Sequence, residues 1–206
     1  YAKELKAQNQ EIELVQVQHH YAHILATMGV KGIKTKVLGV SFDGTGYGDD
    51  GNLWGGEFFV CDNSSYERVG HFKYFKLLGG EKAIKEPRRV ALSFLFEIYG
   101  DGVFNLNNPT INSFSISEVK TLYTAWKNGL NSPLSSACGR LFDAVASLLD
   151  VVQVCSYEGE SGLLSIGMPE RRPVFESSVR RLVWPNGAQA FLYSAGEPES
   201  LRGPQH

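Results

Sequence analysis

The stretch VSFDGTGYGDDGNLWGGEF, residues 40–58, decides how this chain folds. The apolar run over residues 37–42 is typical of a buried strand, and the run over residues 53–61 is typical of a second one. Between them, residues 44–51 contain enough glycine to predict a loop. Together these features predict a β-hairpin with a glycine-rich connection.

The connection carries more glycine than a turn requires. Asp43 ends the first strand and is followed by Gly44, Thr45, Gly46 and Gly48. Glycine lets the backbone turn tightly and brings its N–H groups close to a phosphate. A carboxylate at a strand end can coordinate a cation or orient a water. An ordinary long hairpin loop would use some of the same residues, so the pattern favours a phosphate site without requiring one.

The second unusual feature is VQVQHHYAHI, residues 15–24, which contains three of the five histidines. If a helix begins just before Tyr21, His19 and His23 stand one turn apart, close enough for both imidazoles to reach one ion. His20 points to a different face, as an ordinary polar contact would. The spacing fits a metal site and equally fits a crowded helix start, and a site needs further ligands from elsewhere.

Composition is that of an ordinary soluble globular protein. The chain has 206 residues, a formal net charge of −2 and 43% hydrophobic residues. A charge near zero gives no reason to expect nucleic acid or an anionic membrane as a partner. No apolar run approaches the span of a bilayer. Three scattered cysteines predict no disulfide framework, which indicates a reducing, cytoplasmic setting.

Helices are predicted around the hairpin. Pro87 opens one, Ser115 and Glu118 form a capping box for the next, and a third starts near Ser135 or Ser136 with an apolar stripe. The remaining predicted elements are helices over residues 3–10 and 21–28, the latter ended by Gly29, and strands over residues 14–18 and 68–75.

The composition changes after about residue 167. The last lysine is Lys127, whereas five arginines lie in the C-terminal part, where proline and glycine interrupt every candidate element. We therefore expect one domain over residues 1–168 and an atypical tail over residues 169–206, either disordered or foreign. The opening YAKELKAQNQ indicates a piece of a longer chain.

A family resemblance covers about residues 1–168. Four blocks carry it, in order and in spacing: VQHHYAH, FDGTGYGDDGNLWGGEF, SSACGRLFDAVASLL and YEGE. They resemble the C-terminal domain of the HypF carbamoyltransferases of [NiFe]-hydrogenase maturation, which is similar to the TsaD family of tRNA threonylcarbamoyl-transfer proteins. The resemblance implies an α/β fold, namely a partial actin/Hsp70/sugar-kinase domain with a mixed sheet, a glycine-rich hairpin and flanking helices.

The resemblance also implies a metal site. In the family, the first and last histidines of H-H-x-A-H and the aspartate of D-G-T-G-Y-G bind a metal, which implies that His19, His23 and Asp43 are the ligands and catalytic groups here. Zinc or iron suits such a set. The family's further aspartate ligand and its S-G-G-V-x-x-N segment have no counterpart in this sequence, so we expect an incomplete site of weakened affinity.

Nucleotide contacts follow from the resemblance in the same way. The loop Gly44–Gly48 would cradle the phosphates of ATP or carbamoyl adenylate. Gly139 and Asp143 would lie near the ribose. A glycine inside a helix is about 1 kcal/mol less favourable than alanine, and the close approach of a ligand would explain its presence. A surface ion pair of Arg140 with Asp143 is the plain alternative. Glu158 of YEGE is a weaker candidate, since a solvated turn explains it nearly as well.

The function implied is carbamoyl transfer to the C-terminal cysteine of the partner HypE, on the way to a cyanide ligand of the hydrogenase iron. ATP and carbamoyl phosphate supply the carbamoyl adenylate, and neither nucleic acid nor membrane takes part. Two alternatives stay open: TsaD-type transfer to tRNA, and a nucleotide-binding or docking module without catalysis. The hairpin and the third helix fit the HypF pattern better than the TsaD pattern.

Overall fold

The computed structural model describes residues 2–157, 159–162, 174–176, 178, 181–185, 187 and 189–191. Its helices are α1 (Ala2–Gln8), α2 (His19–Lys31), α3 (Lys82–Lys85), α4 (Pro87–Tyr99), α5 (Pro109–Asn112), α6 (Ile116–Lys127) and α7 (Cys138–Leu148), with a 3₁₀ turn over Gly100–Asn105. Its strands are β1 (Val37–Tyr47), β2 (Leu53–Cys61), β3 (Tyr66–His71), β4 (Phe75–Lys76), β5 (Leu134–Ser135), β6 (Val174–Glu176), β7 (Arg181–Val183) and β8 (Gln189–Phe191).

A mixed sheet organises the fold, which confirms the predicted α/β class. Strand β2 pairs antiparallel with β1 and β3 and parallel with β5, and β4 pairs antiparallel with β5. Helix α2 packs on the hairpin, whereas α4 and α7 pack on each other beside the sheet. In the described part of the chain, no helix combines the length and the hydropathy needed to cross a bilayer.

Strand β1 is longer than the sequence predicts. The expected loop over residues 44–51 is wrong at its start, because the strand continues to Tyr47 and only residues 48–52 connect it to β2. Phe42 pairs with Gly56 and Gly46 pairs with Trp54, so three residues of β1 face one residue of β2. This bulge absorbs Asp43, Gly44 and Thr45, and the ladder resumes beyond it.

Helix α2 also differs from its predicted bounds. It begins at His19 and runs through Gly29 to Lys31, ending at Gly32, whose φ of 65° is a left-handed cap. Its apolar face packs on the hairpin, where a Cβ built on Gly39 would lie 2.5 Å from Ile24 Cδ1. The missing side chain at residue 39 therefore sets how closely the histidine-bearing helix approaches β1.

The predictions for the other elements were right in part. Pro87 opens α4, and the capping box of Ser115 and Glu118 opens α6. The strand expected over residues 68–75 is split into β3 and β4, and residues 14–18 form no strand, since they pair with no neighbouring strand. In the tail, β6, β7 and β8 form an antiparallel sheet of their own. The assignment of the tail as foreign stays a prediction.

Helix α7 turns a polar face inward. The sequence predicts an apolar stripe of Leu141, Phe142, Val145, Ala146 and Leu149. This prediction is wrong in part, because Phe142, Val145 and Leu149 are about half exposed or more. Arg140 and Asp143 are buried instead and form an ion pair of 2.7 Å. The prediction from the apolar pattern fails here because Arg140 and Asp143 pair with each other, so their burial does not leave unpaired charge.

A double-mutant cycle tests the packing of α2 on β1. Gly39→Ala should lower the free energy of unfolding by about 1–3 kcal/mol, since its Cβ overlaps Ile24. In an Ile24→Ala background the same change should cost much less. Urea denaturation gives the four free energies. Gly29→Ala is the matched control on α2: nothing lies within 4 Å of its added Cβ, so it should stabilise by up to about 1 kcal/mol. Additive effects of Gly39→Ala and Ile24→Ala would contradict this packing.

Candidate metal centre

The candidate site is formed by residues of the bulge in β1 and of the first turns of α2. The bulge removes Asp43 from the regular ladder, and Gly44 N–H donates a 2.6 Å hydrogen bond to Asp43 Oδ1. This bond leaves Oδ2 directed at α2. Gln18 caps that helix, with its side chain accepting from Tyr21 N–H, so the histidine run begins with the helix itself.

The predicted ligands converge. His19 Nε2 lies 2.7 Å from Asp43 Oδ2 and 3.2 Å from His23 Nε2, and His23 Nε2 lies 3.6 Å from the same carboxylate oxygen. Ligand atoms about 2.1 Å from a tetrahedral zinc ion lie about 3.4 Å apart, so these spacings fit one shared ion. His19 and His23 are about half exposed, which leaves the centre open to solvent on one side.

Electrostatics favour a cation at this place. Burial works against the ionised form of Asp43, but hydrogen bonds from His19 and Gly44 outweigh it, and the net effect lowers the pKa of the carboxyl group. Asp43 is therefore a carboxylate at neutral pH. One negative oxygen facing two exposed imidazoles is a donor set that zinc or iron accepts.

His20 differs from the prediction of an ordinary polar contact. It is fully buried, and its Nε2 lies 3.8 Å from Asp43 Oδ2. Proximity alone also groups it with His19 and Asp43, whose ligating atoms lie within 4.8 Å of one another. Burial, followed by repulsion from His19, lowers the pKa of His20 and keeps its ring neutral. The sequence signal was the doubled histidine, whose spacing does not show which ring faces inward.

The glycines of the hairpin serve close packing. A Cβ on Gly46 would lie 2.6 Å from both the His19 and the His20 ring, and one on Gly48 would lie 2.1 Å from the Trp54 indole. The N–H groups of Gly44 and Gly48 are bonded within the protein, to Asp43 Oδ1 and to the Asn52 carbonyl. The phosphate cradle at this segment stays a prediction.

The nucleotide candidates on α7 are placed unequally. A Cβ on Gly139 would lie 2.9 Å from Gly44 Cα, which brings the start of α7 against the bulge. Asp143 is buried and paired with Arg140 and Ser161, so the alternative of a surface ion pair is wrong. Glu158 lies outside the described residues. Roles for Gly139 and Asp143 toward a nucleotide are untested.

Sequence reasoning missed a buried carboxylate that ties these elements together. Glu57 is fully buried on β2, and its Oε1 accepts hydrogen bonds from Gly55 N–H, Gly56 N–H and the Ser136 hydroxyl, at 2.5 to 3.1 Å. Its Oε2 accepts from Arg68 Nε at 2.6 Å. A charged residue within the apolar run LWGGEFFVC was the available signal.

The same network reaches the hairpin tip. Arg68 Nη1 donates to Asp50 Oδ2 at 3.2 Å, and its guanidinium lies 4.0 Å above the Trp54 ring. Burial opposes the ionised form of Glu57, but the Ser136 and Arg68 hydrogen bonds outweigh it, so its pKa is lowered. The network holds β2, β3, the hairpin tip and Ser136, in the segment before α7, in one arrangement.

Comparisons with known proteins find relatives of a single family. The family described as "Carbamoyltransferase, Kae1-like Domain, second subdomain" matches residues 39–166. Carbamoyltransferase HypF from Synechocystis sp. is 40% identical over 171 residues, covering 76% of this chain and 22% of that protein. The probable carbamoyltransferase HypF from Methanocaldococcus jannaschii is 37% identical over 151 residues, covering 73% and 20%. The chain thus spans about a fifth of the length of these relatives.

Solved structures agree as well. The crystal structure of full-length HypF in its phosphate- and nucleotide-bound form superposes with a TM-score of 0.69 at 35% identity, covering 85% of this chain and 23% of that one. The structure of T. kodakarensis HypF gives a TM-score of 0.67 at 34% identity, covering 84% and 24%. The likeness therefore extends from the sequence blocks to the arrangement of strands and helices.

Glu57→Gln tests the buried carboxylate. Removing one partner of a buried ion pair should lower the free energy of unfolding by about 3 kcal/mol at pH 7. Ionised Glu57 contributes fully above the pKa of an unfolded glutamate, about 4.3, and the contribution is lost as the pH falls through the lower folded pKa. The difference in unfolding free energy between Glu57→Gln and the unsubstituted chain should therefore shrink only below about pH 4.

Urea denaturation between pH 7 and pH 3 measures this difference. Glu67→Gln is the control, because Glu67 is an exposed residue of the neighbouring strand β3 and should change stability by less than about 0.5 kcal/mol. Equal losses of unfolding free energy from the two substitutions, or a loss from Glu57→Gln that does not depend on pH, would show that Glu57 does not stabilise the fold as an ionised carboxylate.

Proposed function

Since the chain belongs to the HypF carbamoyltransferase family, we propose that it provides the metal-binding part of a carbamoyl-transfer site in a longer protein. The observation that carries the proposal is the convergence of His19, His23 and Asp43 within 3.6 Å of one another. The reaction is transfer from carbamoyl adenylate to the C-terminal cysteine of HypE. Carbamoyl phosphate and ATP are the earlier substrates.

His19, His23 and Asp43 would hold the cation. When bound there, a divalent ion supplies a Lewis acid for a carbonyl or phosphoryl oxygen. The ionised Asp43 offers the negative ligand, and the two imidazoles, a helical turn apart, offer nitrogen ligands. Solvent exposure of both rings leaves room for the substrate oxygen on the open side.

The adenylate would lie where the bulge meets α7. Gly139 and Gly44 approach closely there, and Thr45 Oγ1 is buried without a hydrogen-bond partner among the described residues. A hydroxyl and backbone groups at this junction would contact the phosphate and stabilise its charge as it leaves. One related full-length HypF was crystallised in a phosphate- and nucleotide-bound form, which supports nucleotide binding within this family.

The transfer exchanges one bond for another at the carbamoyl carbon. The acceptor sulfur attacks this carbon and forms a C–S bond, the bond from the carbon to the adenylate oxygen breaks, and AMP leaves with the electron pair. The thiol proton passes to solvent. In the described part of the chain, Cys61, Cys138 and Cys155 are free thiols, which fits a cytoplasmic location.

Metal analysis tests the ligand assignment. The purified chain should bind about one zinc or iron ion, and the His19→Ala/His23→Ala variant should lose stoichiometric binding because two of three ligands are gone. His71→Ala is the control, since the exposed His71 contacts the Phe72 carbonyl away from the cluster. Unchanged metal content in the double variant would refute the assignment. Inductively coupled plasma mass spectrometry gives the content.

Separate assays of the two half-reactions test the role in transfer. In the longer protein that contains this segment, His19→Ala should abolish carbamoylation of the HypE cysteine, followed by mass spectrometry. Formation of pyrophosphate from ATP, which reports the adenylate, should persist because that step belongs to another domain. Retained carbamoylation would contradict the proposal, and so would loss of both activities together. The chain alone should show little turnover.

A further inference from the structure

The third imidazole of the cluster has no function in the proposed site. His20 is 0% exposed, and within the described residues its Nε2 has no hydrogen-bond partner. A buried polar atom without a partner is unfavourable and uncommon in native proteins. Among the described residues, no group supplies the hydrogen-bond partner that this buried nitrogen needs.

Gln18 fixes which nitrogen of His20 carries the proton. Gln18 Oε1 accepts from Tyr21 N–H at 2.9 Å, and Gln18 Nε2 donates to the Tyr47 carbonyl at 3.0 Å. These two backbone groups distinguish the oxygen and the nitrogen of the amide. The same Nε2 lies 3.2 Å from His20 Nδ1, so Nδ1 accepts its second N–H. A ring whose Nδ1 accepts a hydrogen bond carries its proton on Nε2.

The protonated Nε2 of His20 faces the candidate metal centre. It lies 3.8 Å from Asp43 Oδ2, beyond hydrogen-bond distance, and that oxygen is already 2.7 Å from His19 Nε2. His20 also differs from its neighbours in being fully enclosed, whereas the rings of His19 and His23 are about half exposed. Gly46 preserves the arrangement, because a Cβ there would lie 2.6 Å from His20 Cε1.

A second buried donor lies next to this glycine in the chain. Thr45 Oγ1 is likewise without a partner among the described residues. Two unpartnered donors, one on α2 and one on the strand β1 against which α2 packs, favour a ligand with several acceptor oxygens over a single carbonyl oxygen. A phosphoryl group has such oxygens, and it accepts hydrogen bonds strongly because it is charged.

We propose that His20 is a fixed hydrogen-bond donor to a phosphoryl oxygen of the anion that binds beside the ion. The proposal rests on the proposed carbamoyl-transfer function, whose substrates carry phosphate. His20 positions the ligand through its Nε2–H and leaves the ion to His19, His23 and Asp43. Because Gln18 sets the ring before the ligand arrives, the donor needs no reorganisation.

Titration of the zinc-loaded chain with inorganic phosphate and with AMP tests the proposal. His20→Ala should weaken phosphate binding about tenfold, while zinc affinity stays within about twofold. His20→Gln, which keeps an N–H donor near the position of Nε2, should restore most of the affinity. A loss with both phosphate and AMP assigns the donor to any phosphoryl group, and a loss with AMP alone assigns it to the adenylate.

Three results would overturn the proposal. One is a loss of zinc affinity in His20→Ala as large as in His19→Ala, which would make the ring a ligand. Another is unchanged binding of both anions in His20→Ala, or no anion binding by the unsubstituted chain. The third comes from nitrogen chemical shifts of the metal-free chain, if they place the His20 proton on Nδ1. This last measurement is independent of zinc, so failure of the metal assignment is recognised separately.

Discussion

The rest of the structure depends on the hydrogen bonds and the ion pair that the buried carboxylate of Glu57 makes. A fully buried charge is tolerated only when it is paired and hydrogen-bonded, and here two backbone N–H groups, a hydroxyl and a guanidinium supply the partners. Those partners belong to β2, β3 and the segment before α7. One side chain therefore fixes the hairpin relative to the helix start, and the bulge with Asp43 lies between them.

Much of the fold is readable from local sequence. The two apolar runs predict the hairpin, and Pro87 and the Ser115 capping box predict helix starts correctly, because these signals act within a few residues. The continuation of β1 to Tyr47 cannot be predicted from the sequence, since glycine disfavours a strand. Only the structure shows that the imidazoles and α7 pack so closely against these glycines that a side chain would not fit. The inward polar face of α7 is not predicted from the sequence for the same reason. Its burial depends on the Arg140–Asp143 ion pair, and composition alone suggests that such a pair lies at the surface.

The residues of the candidate site likewise divide into those that the sequence predicts and those that only the structure reveals. Helical spacing brings His19 and His23 together, and the family resemblance adds Asp43, so the structure finds all three in contact. The roles of His20 and Glu57 were not predicted from the sequence, because they also depend on partners far along the chain, namely Asp43 and Ser136. Spacing along one helix shows which rings are neighbours, whereas only the packed hairpin shows which ring is enclosed and which stay open.

The bulge in β1 also limits how the chain can vary in length. Side chains of a strand alternate between faces, so gaining or losing one residue among Asp43, Gly44 and Thr45 would turn Gly46 and Tyr47 to the opposite faces. Hairpin tips usually absorb insertions, but this tip is held through Asp50 by Arg68 and Tyr74. Related chains should therefore align across residues 40–58 without gaps, and differences in length should collect elsewhere.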